Sequence, residues 1–163
     1  MDSHAIADRI TALITQAGAW CDSFEHEPVR TSEEAAALRP GYTLRQGAKA
    51  IIVRTKLVGG GRSYVMLVIP ADRRFDGAKV KRLLHAKEVR FATEAEVSEL
   101  TDGVQPGGVP PFGNLFELDV VSDPTLYDNA DIVFNAGRTT TIAMHSADYR
   151  RLAQPTVADI VAQ

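Results

Sequence analysis

A single cysteine among 163 residues, Cys21, excludes an internal disulfide. No second cysteine or close histidine pair gives it metal-ligand spacing, so it is read as a small core residue. No apolar run approaches the roughly 20 residues that cross a bilayer. The N-terminus lacks the basic start and apolar core of a secretory signal, so a soluble, cytoplasmic protein with no membrane partner is expected. The four histidines, His4, His26, His85 and His145, have no spacing that suggests a zinc site. No Gly-x-Ser-x-Gly nucleophile motif is present. Gly59-Gly60-Gly61 is not followed by Gly-Lys-Ser/Thr or by a helix start, so it is read as a flexible hairpin tip and not as a phosphate loop. Lysine and arginine are missing altogether between Phe91 and Gly137.

That last absence is half of a charge segregation. From Arg54 to Arg90 ten basic residues stand against three acidic ones, a local +7, whereas Phe91 to Gly137 carries nine acidic residues, a local −9. The chain as a whole is only at −3. Such a pattern permits a basic face that attracts phosphate on a mildly acidic protein, and equally permits two solvated surfaces with no partner. The length and apolar fraction, with no linker-like stretch or internal repeat, predict one well-cored domain over residues 1–163.

Ile6, Ile10, Leu13, Ile14 and Ala17 recur at helical spacing, with Ser3 placed to cap and Gly18 to stop. Trp20 to Glu27 is compatible with an extended segment. Thr31-Ser32-Glu33-Glu34 has the capping-box pattern and predicts a short helix ended by Pro40 and Gly41. Lys49–Lys56 and Ser63–Pro70 are apolar, β-branched runs around the triple glycine, which predicts an antiparallel hairpin. A basic helix follows from Asp76 or Gly77 to Leu84, with Val80, Leu83 and Leu84 inward. Val89–Ala92 reads as a strand, and Thr93-Glu94-Ala95-Glu96 opens a capped helix to Leu100. Strands are predicted at Leu115–Val121, Asp131–Ala136 and Thr139–His145, the last two joined by a tight turn at Gly137-Arg138. Ser146 is placed to cap a further helix, and Pro155–Ile160 to begin a short one. The apolar segment Val157–Val161 fits a core better than a dimer contact. Interleaved helices and strands give an α/β domain, a mostly antiparallel sheet surrounded by helices.

Two features look like a site. Lys49 begins a buried strand, Gly47-Ala48-Lys49-Ala50-Ile51-Ile52-Val53, where a lysine either snorkels to solvent or holds an anion. Far downstream, Gly107-Gly108-Val109-Pro110-Pro111-Phe112-Gly113 joins glycines that allow close backbone approach to prolines that limit rearrangement. These pieces, together with His26-Glu27-Pro28-Val29-Arg30-Thr31-Ser32-Glu33-Glu34 and Ile132-Val133-Phe134-Asn135-Ala136-Gly137, resemble the YbaK / prolyl-tRNA-synthetase-associated editing-domain family. The resemblance covers nearly the whole chain.

What it implies is a strongly curved, nearly barrel-like sheet and a cofactor-free, metal-independent hydrolase. The implied substrate is the ester of a small mischarged amino acid on a tRNA acceptor end. Lys49 matches the family's lysine and would anchor the terminal adenosine's phosphate or the aminoacyl carbonyl. The loop from Gly107 and Gly108 through Val109 and Pro110 to Pro111 would orient the attacking water and the oxyanion. His26, Thr31, Phe112, Gly113, Asn135, Gly137 and Arg138 would line the substrate's approach, though helix capping alone explains Thr31 and Phe112 fits packing under the loop better than stacking on a base. Arg138-Thr139-Thr140-Thr141 has no histidine where alanine-selecting members carry one, which leaves the amino acid open. A synthetase partner and a monomer or weak homodimer are compatible with the resemblance. Two other readings stay open: a noncatalytic module that holds tRNA ends, a nucleotide or a synthetase, and a small-molecule ester hydrolase.

Overall fold

A computed structural model describes residues 3–28 and 41–163. The helix expected after Thr31, and Thr31 itself, lie outside the described residues. Helix α1 (Ser3–Gln16) turns Ile6, Ile10 and Ile14, none with any exposure, onto one face, and Gly18 follows at φ +74°. Strand β1 (Cys21–Glu25) is the extended segment expected there.

The hairpin forms as β2 (Ala48–Leu57) and β3 (Arg62–Pro70), antiparallel from Ala48 opposite Pro70 to Lys56 opposite Arg62. All three tip glycines sit at positive φ, where a side chain would be strained. Next come α2 (Gly77–Leu84), β4 (Ala86–Phe91), α3 (Glu94–Thr101), β5 (Asp119–Ser122), β6 (Asp131–Asn135), β7 (Thr140–His145), α4 (Ser146–Ala153) and β8 (Thr156–Val157). Asp76 caps α2 by accepting from the Ala78 and Lys79 amides. Thr93 and Glu96 close the capping box of α3.

The class is the mixed, mostly antiparallel α/β one expected, but the strands divide between two sheets. One has the order β4-β2-β3-β5-β8, and the other β1-β7-β6. A parallel bridge between Gly47 and Val133 links them. The larger core, with Ile10, Ile52, Met66, Phe112, Phe134 and Tyr149, takes residues from both sheets, α1 and α4. A second, with Ile51, Val53, Leu67 and Ile69, lies on the other face of the larger sheet under Val80 of α2 and Ile160 of the C-terminal segment. Burial on both faces explains why β2 and β3 read as continuous apolar runs.

Several local expectations are corrected. Leu83 is exposed, while Val80 and Leu84 pack inward. Cys21 is only half-buried. The Leu115–Val121 strand is reduced to β5, because the Gly113 carbonyl accepts from both Phe116 and Leu118 and curls the chain into a 3-10 turn. Ser146 is the first residue of α4 and does not cap it; its hydroxyl donates to the Asn129 carbonyl at 2.6 Å. The turn between β6 and β7 spans Gly137-Arg138-Thr139, closed by the Ala136 amide on Thr140 O at 2.9 Å. Residues 155–160 form β8 and an extended tail instead of a helix, since the Ile160 amide is taken by buried Asp123 and its carbonyl by the Asp76 amide. Ile160 and Val161 are core residues at 0% and 7% exposure.

Candidate active site

The Gly-Pro loop is fixed from three sides. Gly107 is exposed at φ +87°, and its carbonyl accepts from Asn135 Nδ2 at 2.8 Å. The Gly108 amide closes a turn on Gln105 O at 3.0 Å, and the Gly108 carbonyl accepts from the Gly137 amide at 2.7 Å. A Cβ at Gly108 would stand 2.8 Å from the Gly137 carbonyl carbon and 3.1 Å from Arg138 N. Only glycine lets these two backbones meet this closely. The Arg138 guanidinium donates to the Gln105 side chain. Asn135, Gly137 and Arg138 are therefore brought against Gly107 and Gly108, although about thirty residues separate them in sequence.

From below, Tyr149 on α4 donates its hydroxyl to the Pro111 carbonyl at 2.6 Å in full burial. Burial raises that phenol's pKa well above its ordinary value. Phe112 packs edge-on against Phe134 at 5.6 Å and Tyr149 at 5.2 Å. Phe112 and Gly113 are buried. Phe112 packs under the loop as its reading from the sequence has it, and Gly113, expected among the substrate-lining residues, joins it in the loop's foundation: a Cβ there would meet Leu118 O at 2.4 Å and Val120 Cγ2 at 2.6 Å.

His26 joins the same assembly from the end of β1. Its amide donates to Thr139 O at 2.9 Å, its Nδ1 meets Glu27 O at 2.8 Å, and its Nε2 meets Thr141 Oγ1 at 2.8 Å. Thr141 in turn reaches Asn135 Oδ1 at 3.4 Å. A polar chain thus runs from His26 through Thr141 and Asn135 to the Gly107 carbonyl. The neighbouring Thr139 Oγ1 is buried without a partner among the described residues.

Beside the loop lies a pocket of about 180 Å³ lined by Ala50, Ile52, Phe91, Val97, Gly107 and Val109. It opens where β4 parts from β2: their pairing ends at Val53 and Phe91, and the Ala92 amide makes the final bond to Ile52 O. Lys49 is exposed and next in sequence to pocket-lining Ala50; by strand alternation its side chain shares the face of β2 that carries Ile51, opposite that of Ala50 and Ile52. Among the described residues nothing pairs with its ammonium. The amides of Gly107 and Val109 donate to none of the described carbonyls. Bare N–H groups and apolar walls are what an ester needs for an oriented carbonyl and a stabilised oxyanion.

Behind the wall, Glu96 accepts from Arg90 at 2.8 Å, from the Thr93 amide at 2.9 Å and from the Tyr64 hydroxyl. Those donors, Arg90 first, hold its carboxyl well below the usual carboxylate range.

A family model described as the aminoacyl-tRNA editing domain matches residues 26–152. The chain belongs to the aminoacyl-tRNA editing domain family. It is 36% identical over 149 residues to the Escherichia coli (strain K12) protein named multifunctional Ser/Thr-tRNA deacylase ProXp-y, covering 90% of this chain and 87% of that one. It is 31% identical over 111 residues to the proline–tRNA ligase of Ralstonia pickettii, covering 68% of this chain and 19% of the ligase. A solved structure described as a candidate trans-editing enzyme for prolyl tRNA synthetase superposes with a TM-score of 0.81 at 25% identity, covering 97% of this chain and 98% of that one.

Within this editing domain, the structure gathers His26, the Gly107–Pro111 loop, Asn135, Gly137 and Arg138 around one region, while Lys49 stands exposed on β2 beside pocket-lining Ala50 in sequence. Residues that sequence reading passed over complete it. Thr141 looks like any strand threonine, Phe91 like a short-strand aromatic and Tyr149 like a helix-face tyrosine. Only the closed fold shows the first relaying to the loop, the second rimming the pocket and the third propping Pro111.

Proposed function

We propose that this protein hydrolyses the ester joining a small, wrongly attached amino acid to the terminal ribose of a tRNA, acting as a freestanding trans-editing deacylase. The observation that carries the reading is the rigid Gly107–Pro111 backbone set beside a small apolar pocket, one residue along β2 from the exposed Lys49. Water adds to the ester carbonyl, the acyl carbon–oxygen bond breaks, and the products are the free amino acid and the tRNA's terminal hydroxyl. In this scheme the Gly107 and Val109 amides stabilise the oxyanion, and Lys49 binds the terminal phosphate or the aminoacyl carbonyl. His26, Asn135, Gly137 and Arg138 keep the loop in place.

The pocket, of about 180 Å³ with mostly apolar walls, suits a small side chain and its ester. Such a site restores accuracy where a synthetase pocket gains only about 1–3 kcal/mol per methylene. Serine and threonine come first among the acyl groups to test, a choice supported by the 36% identity to a protein named a Ser/Thr-tRNA deacylase.

The test is a deacylation panel with tRNAs carrying serine, threonine, alanine, cysteine and proline, run beside Lys49→Ala and Gly107→Ala. Hydrolysis of one or two small species, reduced at least about tenfold in both variants, is expected. No hydrolysis by folded wild-type protein would replace this reading with a module that binds tRNA ends. Full activity in Lys49→Ala would remove the lysine from the mechanism.

A further inference from the structure

A second cleft, of about 320 Å³, continues along β2 and β4 from the pocket, and its lining includes Arg54, Lys56, Arg62, Lys81 and Arg90 with one carboxylate, Glu88. Little inside the protein neutralises it. Arg62 and Lys81 have no partner among the described residues. Lys56 and Glu88 stand 3.8 Å apart with both side chains more than half exposed, a weak pair. Arg54 lies 3.9 Å from the Glu96 carboxylate, which Arg90 already occupies at 2.8 Å. Five cations drawn to one concavity, on a chain at −3 overall, form a local anion site.

Position gives that site its meaning. Ile51 lines the pocket and Thr55 the cleft, four residues further along one strand; at ~3.3 Å per residue that is about 13 Å. Between them stands Phe91, 63% exposed, its ring braced edge-on by Phe75 at 5.4 Å. Phe91 rims the pocket, and its neighbour Arg90 lines the cleft. An exposed aromatic beside a cation-lined cleft suits a base stacked next to backbone phosphates.

We infer that the Arg54–Arg90 cleft holds the phosphate backbone of the tRNA as it leaves the hydrolytic pocket, with Phe91 stacking on a nucleotide between the two. This rests on the deacylase reading for what occupies the pocket, and it assigns the surface that distinguishes a tRNA from a short ester.

The experiment measures binding of uncharged tRNA across a salt series, and turnover of two substrates: the aminoacyl-tRNA accepted in the panel, and the same amino acid esterified to adenosine. The double variant Arg62→Glu/Lys81→Glu changes two exposed side chains outside the pocket. It is expected to weaken tRNA binding at least tenfold and to lower the salt slope by about two phosphate contacts at ~0.9 each. KM for the tRNA substrate should rise with kcat unchanged, while turnover of the adenosine ester stays the same. Phe91→Leu should weaken tRNA binding about fivefold or more. Unchanged affinity and salt slope in the double variant would overturn the assignment, as would equal losses on both substrates. If the wild type hydrolyses neither substrate, the deacylase reading fails, and the binding series still decides whether the cleft takes tRNA.

Discussion

Gly108 and Tyr149 show how little material holds the loop. The Gly108 carbonyl meets the Gly137 amide at 2.7 Å, and an added methyl would press on the backbone of Gly137 and Arg138. Gly108→Ala is therefore expected to separate loop from turn, lowering deacylation at least tenfold and the melting temperature by several degrees, read by turnover and thermal denaturation. Tyr149→Phe keeps the ring contacts and removes the donor to Pro111, leaving a buried carbonyl without its partner. The expected cost is about 1–3 kcal/mol in urea denaturation. Circular dichroism should show an unchanged fold, since the aromatic packing survives. Phe112 was legible at this scale: a phenylalanine closing the Gly-Pro string is expected to pack under the loop more than to stack on a base, and its ring is buried against Phe134 and Tyr149.

Among the elements, α3 and β4 are joined to the hairpin through one carboxylate. Glu96 caps its own helix by accepting from Thr93 and ties it to Arg90 on β4 and Tyr64 on β3. Because the folded protein depresses this carboxyl's pKa, its stabilising contribution is complete above the ordinary Glu value of ~4.3. That contribution fades as pH falls below that value toward the depressed one. Wild-type protein should therefore lose stability on acidification more steeply than Glu96→Gln, which starts less stable at neutral pH. Denaturant midpoints measured between about pH 7 and 2.5 test this.

The tail is held by Asp123, whose buried carboxylate accepts from the Ile160 and Thr125 amides. Asp123→Ala should free the tail and cost at least about 2 kcal/mol, because those two amides and the Thr125 hydroxyl lose one acceptor group. Hydrogen exchange at the Ile160 amide is the direct measure.

For the molecule as a whole, local pattern and chain closure divided the work. The hairpin, the capping boxes, the α1 face and the charge segregation were legible because each depends on residues within a few positions: β-branched runs around Gly59–Gly61, Thr93 with Glu96, isoleucines every fourth residue. The order of Lys49, the Gly-Pro loop and the Asn135–Gly137 segment carried the family. What could not be read was set by partners distant in sequence. The tail looked helical from Pro155 onward, yet Asp123 and Asp76 hold it extended. The strand expected at Leu115 yields to the Gly113 carbonyl's two amides.

The sequence by itself determined the class, the ends of most elements and the identity of the residues that belong together. Tertiary structure alone decided that Asn135 bonds Gly107 and that Phe91 stands between an apolar pocket and a basic cleft. The reason is physical: periodicity and capping are settled within a turn or a strand, but a hydrogen bond between Gly108 and Gly137 exists only once two sheets and α4 have fixed both backbones in place.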